Sequence, residues 1–132
     1  MIIINVMKLS KKNIKWLSKP EKHDYPAARS YLNLIFDITK CDLIIKELKY
    51  APITKFKVKD IFRASSLSLL GISNLHIKKN NKKIKKGVAL SPILLVRDTT
   101  NSKVIIADGY HRLCTIYSID EDAEIPTKIV SI

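Results

Sequence analysis

Ile105-Ile106-Ala107-Asp108-Gly109-Tyr110-His111-Arg112-Leu113 is the stretch that decides the fold. An apolar run, typical of a buried strand, stops at Asp108-Gly109, and a helix is predicted to begin directly afterwards. A strand that turns sharply into a helix directs several backbone N–H groups at one point, where the helix dipole adds partial positive charge. Arg112 adds a full positive charge. The stretch therefore predicts a turn that binds a phosphate or another anion.

The composition is that of one ordinary globular domain. The chain has 132 residues, of which 46% are hydrophobic and 27% charged, enough for one modest core. Because no apolar run approaches about 18 residues, we expect no membrane partner. The apolar residues 1–7 are followed by lysines, which is the wrong order for a secretory signal. These residues either form a short strand, or translation starts at Met7. Two distant cysteines, Cys41 and Cys114, indicate free thiols and a cytoplasmic setting.

The charge balance is strongly basic. Lysine and arginine together number 24 against 12 acidic residues, a net charge of +12, and 20 of the 24 are lysine. Half of them form two patches, which either bind nucleic acid or an acidic partner or are simply a solvated face. The first lysine patch is Lys8, Lys11, Lys12, Lys15, Lys19 and Lys22; the second, our candidate nucleic-acid surface, is Lys78, Lys79, Lys82, Lys83, Lys85 and Lys86.

The first third of the chain is predicted to form two antiparallel helices. The first begins at a cap, Asp24, and ends near residues 36–37; its apolar positions are Ala27, Tyr31, Leu34 and Ile35. The second is capped by Thr39 and ends before Ala51-Pro52, because the residue before proline avoids helical geometry. Its predicted apolar stripe is Leu43, Ile44 and Leu48.

From residue 54 onward the predicted order is strand, helices, strand, strand, helix, strand. Phe56 and Val58 alternate with lysines in a half-buried strand, and a short helix covers 60–64. An apolar loop over 67–73 leads to a lysine-rich helix over about 74–86, which Gly87 ends. The remaining elements are a hairpin with strands over 92–96 and 104–106, a helix over 110–118 and a final strand over 125–130.

This order resembles the ParB-N-terminal/sulfiredoxin superfamily. The stretch 91–96 is similar to its Pro-Ile strand, 108–112 to its phosphate-binding turn, and 125–130 to the closing strand of sulfiredoxin. The resemblance covers about residues 54–132. It implies an α+β fold with a small mixed sheet and flanking helices, in which 54–132 form the core and 1–53 an N-terminal helical extension of a single domain.

The resemblance implies different activities in different branches. Sulfiredoxins carry a catalytic cysteine where this chain has Tyr110, so sulfiredoxin activity is not expected, since a phenol is a poor substitute for a thiolate. ParB proteins bind CTP at a Gly-Glu-Arg-Arg turn, where this chain has Tyr110 and His111 in place of Glu and Arg. Free-serine kinases carry an Asp-Gly-His-Thr-Arg turn, which makes Asp108 a candidate base or metal-positioning residue.

The residues of the turn each have a functional and a structural interpretation. Arg112 either binds an anion or pairs with Asp108 or the acidic loop 120–124; His111 either contacts ligand or shuttles a proton, or caps the turn. Asp108 either serves as a base or Mg²⁺ ligand, or caps the helix. Gly109 admits a ligand or a positive φ, and Tyr110 stacks on a base or packs. No metal site is predicted, since His111 and Cys114 alone are too few ligands for zinc.

Three further residues lie outside the turn. His23 and Asp24 either reach the site from the N-terminal helices or mark a solvent-exposed helix start. Asp60 is predicted to cap its helix, in the region where, by the resemblance, family members close over the nucleotide.

Two functions follow as hypotheses. In the first, Gly109, Tyr110, His111 and Arg112 hold a nucleoside di- or triphosphate with Mg²⁺, and Asp108 and His111 are catalytic in a phosphotransferase or phosphohydrolase. In the second, the chain is a non-enzymatic DNA- or RNA-binding or partition-type module that acts through its lysine patches.

Overall fold

The chain folds into a four-stranded mixed sheet with helices on both faces. The computed structural model of the protein describes residues 9–67 and 75–132. Within these ranges the α-helices are α1 (Asp24–Leu32), α2 (Ile38–Tyr50), α3 (Val58–Ser65), α4 (Leu75–Lys85) and α5 (Tyr110–Ile119), and the strands are β1 (Thr54–Lys57), β2 (Ile93–Asp98), β3 (Lys103–Asp108) and β4 (Glu124–Ser131). The predicted α+β class and the predicted order of elements are confirmed.

The sheet order is β1-β4-β2-β3. β2 and β3 form the expected antiparallel hairpin, and β4 pairs with β2 in parallel, with Leu95 opposite Ile129. β1 pairs with β4 antiparallel at the other edge. The hairpin register shifts between Leu94 and Leu95, next to the end of β3 at Asp108. This irregularity lies beside the turn that begins α5.

Two hydrophobic clusters cover the two faces of the sheet, and β2 supplies both. Ile93 and Leu95 face α3, α4 and α5, whereas Leu94 and Val96 face α1 and α2. Burial on both faces explains why the strand is apolar without alternation. The N-terminal helices therefore form one of the two layers that bury the sheet.

The N-terminal helices differ from their predicted registers. α1 ends at Leu32, and its buried positions are Asp24, Ala28 and Leu32, spaced by four; the predicted stripe was wrong, since Tyr31, Leu34 and Ile35 are exposed. In α2 the cap is Asp37, whose side chain accepts from the backbone N of Lys40, and not Thr39. Leu43 is exposed, and the buried face of α2 contains Cys41, Ile44, Ile45 and Leu48.

Two predictions after residue 54 also need correction. Val58 begins α3 and is fully buried, so β1 is shorter than its alternation suggested. Asp60 lies inside α3, whose cap position is Lys57, so Asp60 is not the cap. The remaining predicted helices and strands agree with the structure to within about two residues. The predictions for residues 1–7 and for most of the 67–73 loop lie outside the described residues.

No helix in the described residues is both long and apolar enough to cross a bilayer.

Candidate functional site

Gly109 forms the junction between β3 and α5. It occupies the N-cap position with φ +107°, a left-handed conformation that strongly favours glycine. A Cβ at this position would lie 2.4 Å from Cδ1 of Ile93 and 2.8 Å from Nη2 of Arg112. Both the conformation and the space therefore require glycine, and Gly109 supplies no side-chain cap to the helix end.

Arg112 is directed toward carboxylates. Its Nη2 lies 2.9 Å from Oδ2 of Asp108, and its Nη1 lies 3.9 Å from Oδ1 of Asp24. Arg112 therefore forms an ion pair with Asp108, which is the structural one of its two interpretations. This pair also replaces the predicted cap: Asp108 accepts from the guanidinium and does not cap α5, because α5 has Gly109 at its cap position.

The guanidinium is nevertheless incompletely satisfied. Its side chain is only 18% exposed, and within the described residues its buried Nε has no hydrogen-bond partner. A buried donor without a partner is uncommon in folded proteins. The pairing with Asp108 neutralises the charge of Arg112 without using all of its donors.

Asp24 is the first residue of α1 and not its cap, because the cap position is His23. Of the two interpretations of Asp24, the solvent-exposed helix start is wrong, since this residue is only 2% exposed. Its Oδ2 accepts from Oγ of Ser91 at 2.6 Å and from the backbone N of Glu21 at 2.9 Å. Because Oδ1 of Asp24 also lies 3.9 Å from Nη1 of Arg112, the first turn of α1 reaches the start of α5, as the other interpretation predicts.

Burial raises the pKa of Asp108 above the ordinary value of an aspartate. The positive charge and hydrogen bond of Arg112 oppose this effect, and the negative charge of Asp24 adds to it. Desolvation is the largest cause, because water is largely excluded from this carboxyl group. A carboxylate with a raised pKa is a stronger base, which suits it to accept a proton.

A cleft of about 430 Å³ opens at the turn, and we call it the turn cleft. Its lining combines the turn with apolar and aromatic side chains: Ala27, Tyr31, Leu67, Ile106, Ala107, Asp108, Gly109, Tyr110 and His111. Four of the five predicted site residues thus meet at one cavity. Arg112, the fifth, lies outside this lining because it is directed to Asp108.

Aromatic contacts fix the beginning of α5. The ring of Tyr110 lies edge-on to Phe62, with centroids 6.2 Å apart, and edge-on to His111 at 5.7 Å. Phe62 also contacts Tyr117 edge-on at 5.5 Å. Tyr110 therefore packs against α3 while it lines the turn cleft, so its two interpretations are compatible.

Phe62 also borders a second cleft, of about 560 Å³, which Lys59 and Arg63 line as well. Arg63 is 83% exposed and lies 3.8 Å from Asp60, an ion pair that solvent screens. Leu67 is shared by this cleft and the turn cleft. Asp60 does not line the turn cleft.

The remaining candidate groups lie elsewhere. The six lysines of the second lysine patch are all exposed, along α4 and just after it. Cys114 is buried in the core, whereas the half-buried His111 lines the turn cleft, so the two side chains lie in different environments. Glu21, His23 and Asp24 bring three ligand-type atoms within 4.8 Å of one another, but Nε2 of His23 is already 3.0 Å from the Glu21 carboxylate.

Compared with protein-family models, with curated proteins and with solved structures, the chain matches none.

Proposed function

We propose that the protein binds a phosphate-bearing ligand, a nucleotide in the first instance, in the turn cleft. The observation that carries the proposal is the meeting of Asp108, Gly109, Tyr110 and His111 at one 430 Å³ cavity. Cavities of about 300–1,000 Å³ are typical of small-molecule sites.

The lining of the turn cleft offers contacts for both parts of a nucleotide, the phosphates and the base with its sugar. The N-terminus of α5 provides partial positive charge for a phosphate, and its first-turn N–H groups point out of the helix end. Tyr31 and Tyr110 offer rings, and Leu67 and Ile106 offer apolar surface, for a base or sugar. An apolar cleft with a few polar groups at one end is the usual form of such a site.

Arg112 is assigned a positioning role in this proposal. Asp108 at 2.9 Å already neutralises its charge, so direct contact with a phosphate would require the pair to separate. Arg112 instead holds Asp108 at the cleft wall. His111 is then the cationic candidate for the phosphate when it is protonated.

Phosphoryl transfer is the proposed reaction class, by resemblance to the free-serine kinase turn. Asp108, with its raised pKa, would accept the proton of an acceptor hydroxyl, and a Mg²⁺ ion bound with the nucleotide would offset phosphate charge. The wider proposal is that residues 54–132 are a ParB/sulfiredoxin-like core. The strand-to-helix turn at Gly109 and the order of the elements after residue 54 are the observations that favour it.

The test is a thermal-shift screen of the full chain against nucleotides and inorganic phosphate, with and without Mg²⁺, at about 0.15 M salt. A bound nucleotide at 100 times its Kd stabilises the folded state by about 2.7 kcal/mol. We expect Tyr31→Ala to lose the shift, since Tyr31 lines the cleft and is 42% exposed. Tyr50→Ala is the matched control, because Tyr50 is 83% exposed and lies outside the cleft.

Two results would contradict the proposal: no stabilisation by any nucleotide or phosphate, or an equal shift in wild type and Tyr31→Ala. Transfer chemistry is tested separately with Asp108→Asn, which should retain the thermal shift and lose phosphate transfer. If Asp108→Asn transfers phosphate as fast as wild type, Asp108 is not the base.

A second candidate function, nucleic-acid binding through the lysine patches, is supported by the exposure of all six lysines of the second lysine patch. The association constant for DNA or RNA should fall steeply as the salt concentration rises.

A further inference from the structure

A third cleft, larger than the turn cleft, opens at the beginning of α1. Its volume is about 830 Å³, and we call it the lysine cleft. Residues 17–22 form one wall, and Tyr25 from α1, Lys49 from the last turn of α2 and Lys128 from β4 form the rest. Three separate elements thus converge on one concave surface.

The lysine cleft is strongly positive. Its lining contains four lysines, Lys19, Lys22, Lys49 and Lys128, and one acidic residue, Glu21, a net charge of +3. The Glu21 carboxylate is itself occupied by Nε2 of His23 at 3.0 Å. Within residues 9–67 and 75–132, none of the four lysines has a carboxylate at ion-pair distance. The cleft therefore gathers cations that the chain itself does not neutralise.

Lys128 is the most informative of these cations. It is only 8% exposed, and its Nζ donates to the backbone O of Lys49 at 2.9 Å. Its Nζ also lies 6.0 Å from the centre of the Tyr25 ring, and Nζ of Lys49 lies 5.7 Å from the same centre. Buried charges in proteins are usually paired with an opposite charge. Here a carbonyl and a ring take that place, and the second cation lies beside the same ring.

We infer that the lysine cleft binds single-stranded nucleic acid, with backbone phosphates at the exposed Lys19, Lys22 and Lys49 and a base against Tyr25, while the buried Lys128 holds the wall of the cleft. Positive grooves with an aromatic side chain are the usual design of sequence-tolerant single-strand binding. A lysine ammonium acts as a point charge, whereas an arginine guanidinium provides a fork that binds one planar anion through two hydrogen bonds. A cleft lined by lysines therefore suits a series of phosphates. The second lysine patch has no such aromatic residue, so the cleft is the better candidate of the two.

This inference does not rest on the function proposed for the turn cleft, because the two clefts share no lining residue. The nucleotide-induced thermal shift should accordingly be the same in wild type and in variants of the lysine cleft. Failure of either proposal can thus be recognised without reference to the other.

The experiment measures fluorescence anisotropy of a labelled oligo-dT of about 12 nucleotides, within the usual range of about 4–16 per site, across a salt series. The full chain is compared with Lys22→Gln/Lys49→Gln, which removes two exposed charges from the lysine cleft. Since the slope of log K against log salt is about −0.7 per phosphate contact for single strands, the double variant should reduce its magnitude by about 1.4. Lys55→Gln/Lys57→Gln, a matched control with two exposed charges on β1 that belong to neither lysine patch, should leave it unchanged.

Tyr25→Leu tests the stacked base. It should weaken binding of oligo-dT while leaving binding of inorganic polyphosphate, which has no base, unchanged. Three results would overturn the inference: no binding at low salt, an equal loss in both lysine double variants, or displacement of oligo-dT by polyglutamate at equal charge concentration. The last result would identify an acidic protein surface as the partner.

Discussion

Asp108 is the residue at which stability and proton chemistry meet in this protein. Its burial raises the pKa, and the Arg112 pair only partly opposes that rise. The folded state therefore holds the proton more tightly than the unfolded state, whose aspartate has a pKa of about 3.9. The resulting stabilisation is fully present below that ordinary pKa and is lost as pH rises through the folded-state pKa.

Asp108→Asn should reveal this dependence. The asparagine retains an oxygen for Arg112 but does not ionise, so the stability of wild type relative to the variant should decline as pH rises above the ordinary aspartate pKa of about 3.9. Urea unfolding at a series of pH values measures the difference. Asp60→Asn is the control, since Asp60 is 55% exposed. A difference that grows with pH would mean that the ion pair outweighs desolvation.

At the scale of elements, the junction of β3 and α5 depends on Gly109. An alanine there would adopt φ +107° and place its Cβ against Ile93 and Arg112. Backbone strain of this kind costs about 1–3 kcal/mol and overpacking a further 1–3 kcal/mol, so Gly109→Ala should destabilise the fold by roughly 2–6 kcal/mol in urea unfolding.

Gly87→Ala is the matched control for this prediction. Gly87 also has a positive φ, +73°, but a Cβ there would meet only the flexible end of Lys15, at 3.4 Å. The loss of stability in Gly87→Ala should therefore come from backbone strain alone, about 1–3 kcal/mol. Equal losses of stability in the two variants would show that the packing against Ile93 does not matter.

Helix α1 illustrates why its existence was predictable and its orientation was not. The segment contains apolar residues on adjacent stripes, so helical spacing fits both Ala27-Tyr31 and Ala28-Leu32. Only packing on the sheet selects the second stripe, with Ala28 and Leu32 fully buried. By contrast, the unbroken apolar run of β2 fits only burial on both faces, and the prediction of a buried strand there is confirmed.

At the scale of the whole molecule, the candidate site joins distant parts of the chain. Residues 108–112 are contiguous, so local sequence was sufficient to predict their turn. Asp24 and Ser91 are 67 positions apart and come together only because α1 packs against β3, which brings its first turn to the residue that precedes the β2 segment. No local pattern marks such a pair, and a buried aspartate before Tyr25-Pro26 resembles an ordinary helix cap in sequence.

The Asp24 carboxylate links the two layers of helices across the edge of the sheet. It accepts from Ser91, lies near Arg112 of α5, and belongs to α1 on the opposite face. Ser91→Ala removes one hydrogen bond to a charged group and should cost about 1.5–3 kcal/mol. Asp24→Ala also leaves Arg112 with one fewer carboxylate and should cost more, about 3–5 kcal/mol.

A double-mutant cycle on Asp24 and Ser91 tests whether the two residues act together. Because they are in contact, the double variant should lose about 0.5–3 kcal/mol less than the sum of the single losses. The control cycle combines Asp24→Ala with Ser131→Ala. Ser131 lies at the end of β4 and accepts from the exposed Arg97 of β2, far from Asp24 in the contacts described, so the two losses should add within about 0.5 kcal/mol. Urea unfolding, monitored by Trp16 fluorescence and by far-UV circular dichroism, measures both cycles. Additivity at Asp24 and Ser91 would mean that the hydrogen bond does not couple the N-terminal helices to the rest of the fold, whereas a coupling energy in this range would mean that it joins α1 to the segment before β2.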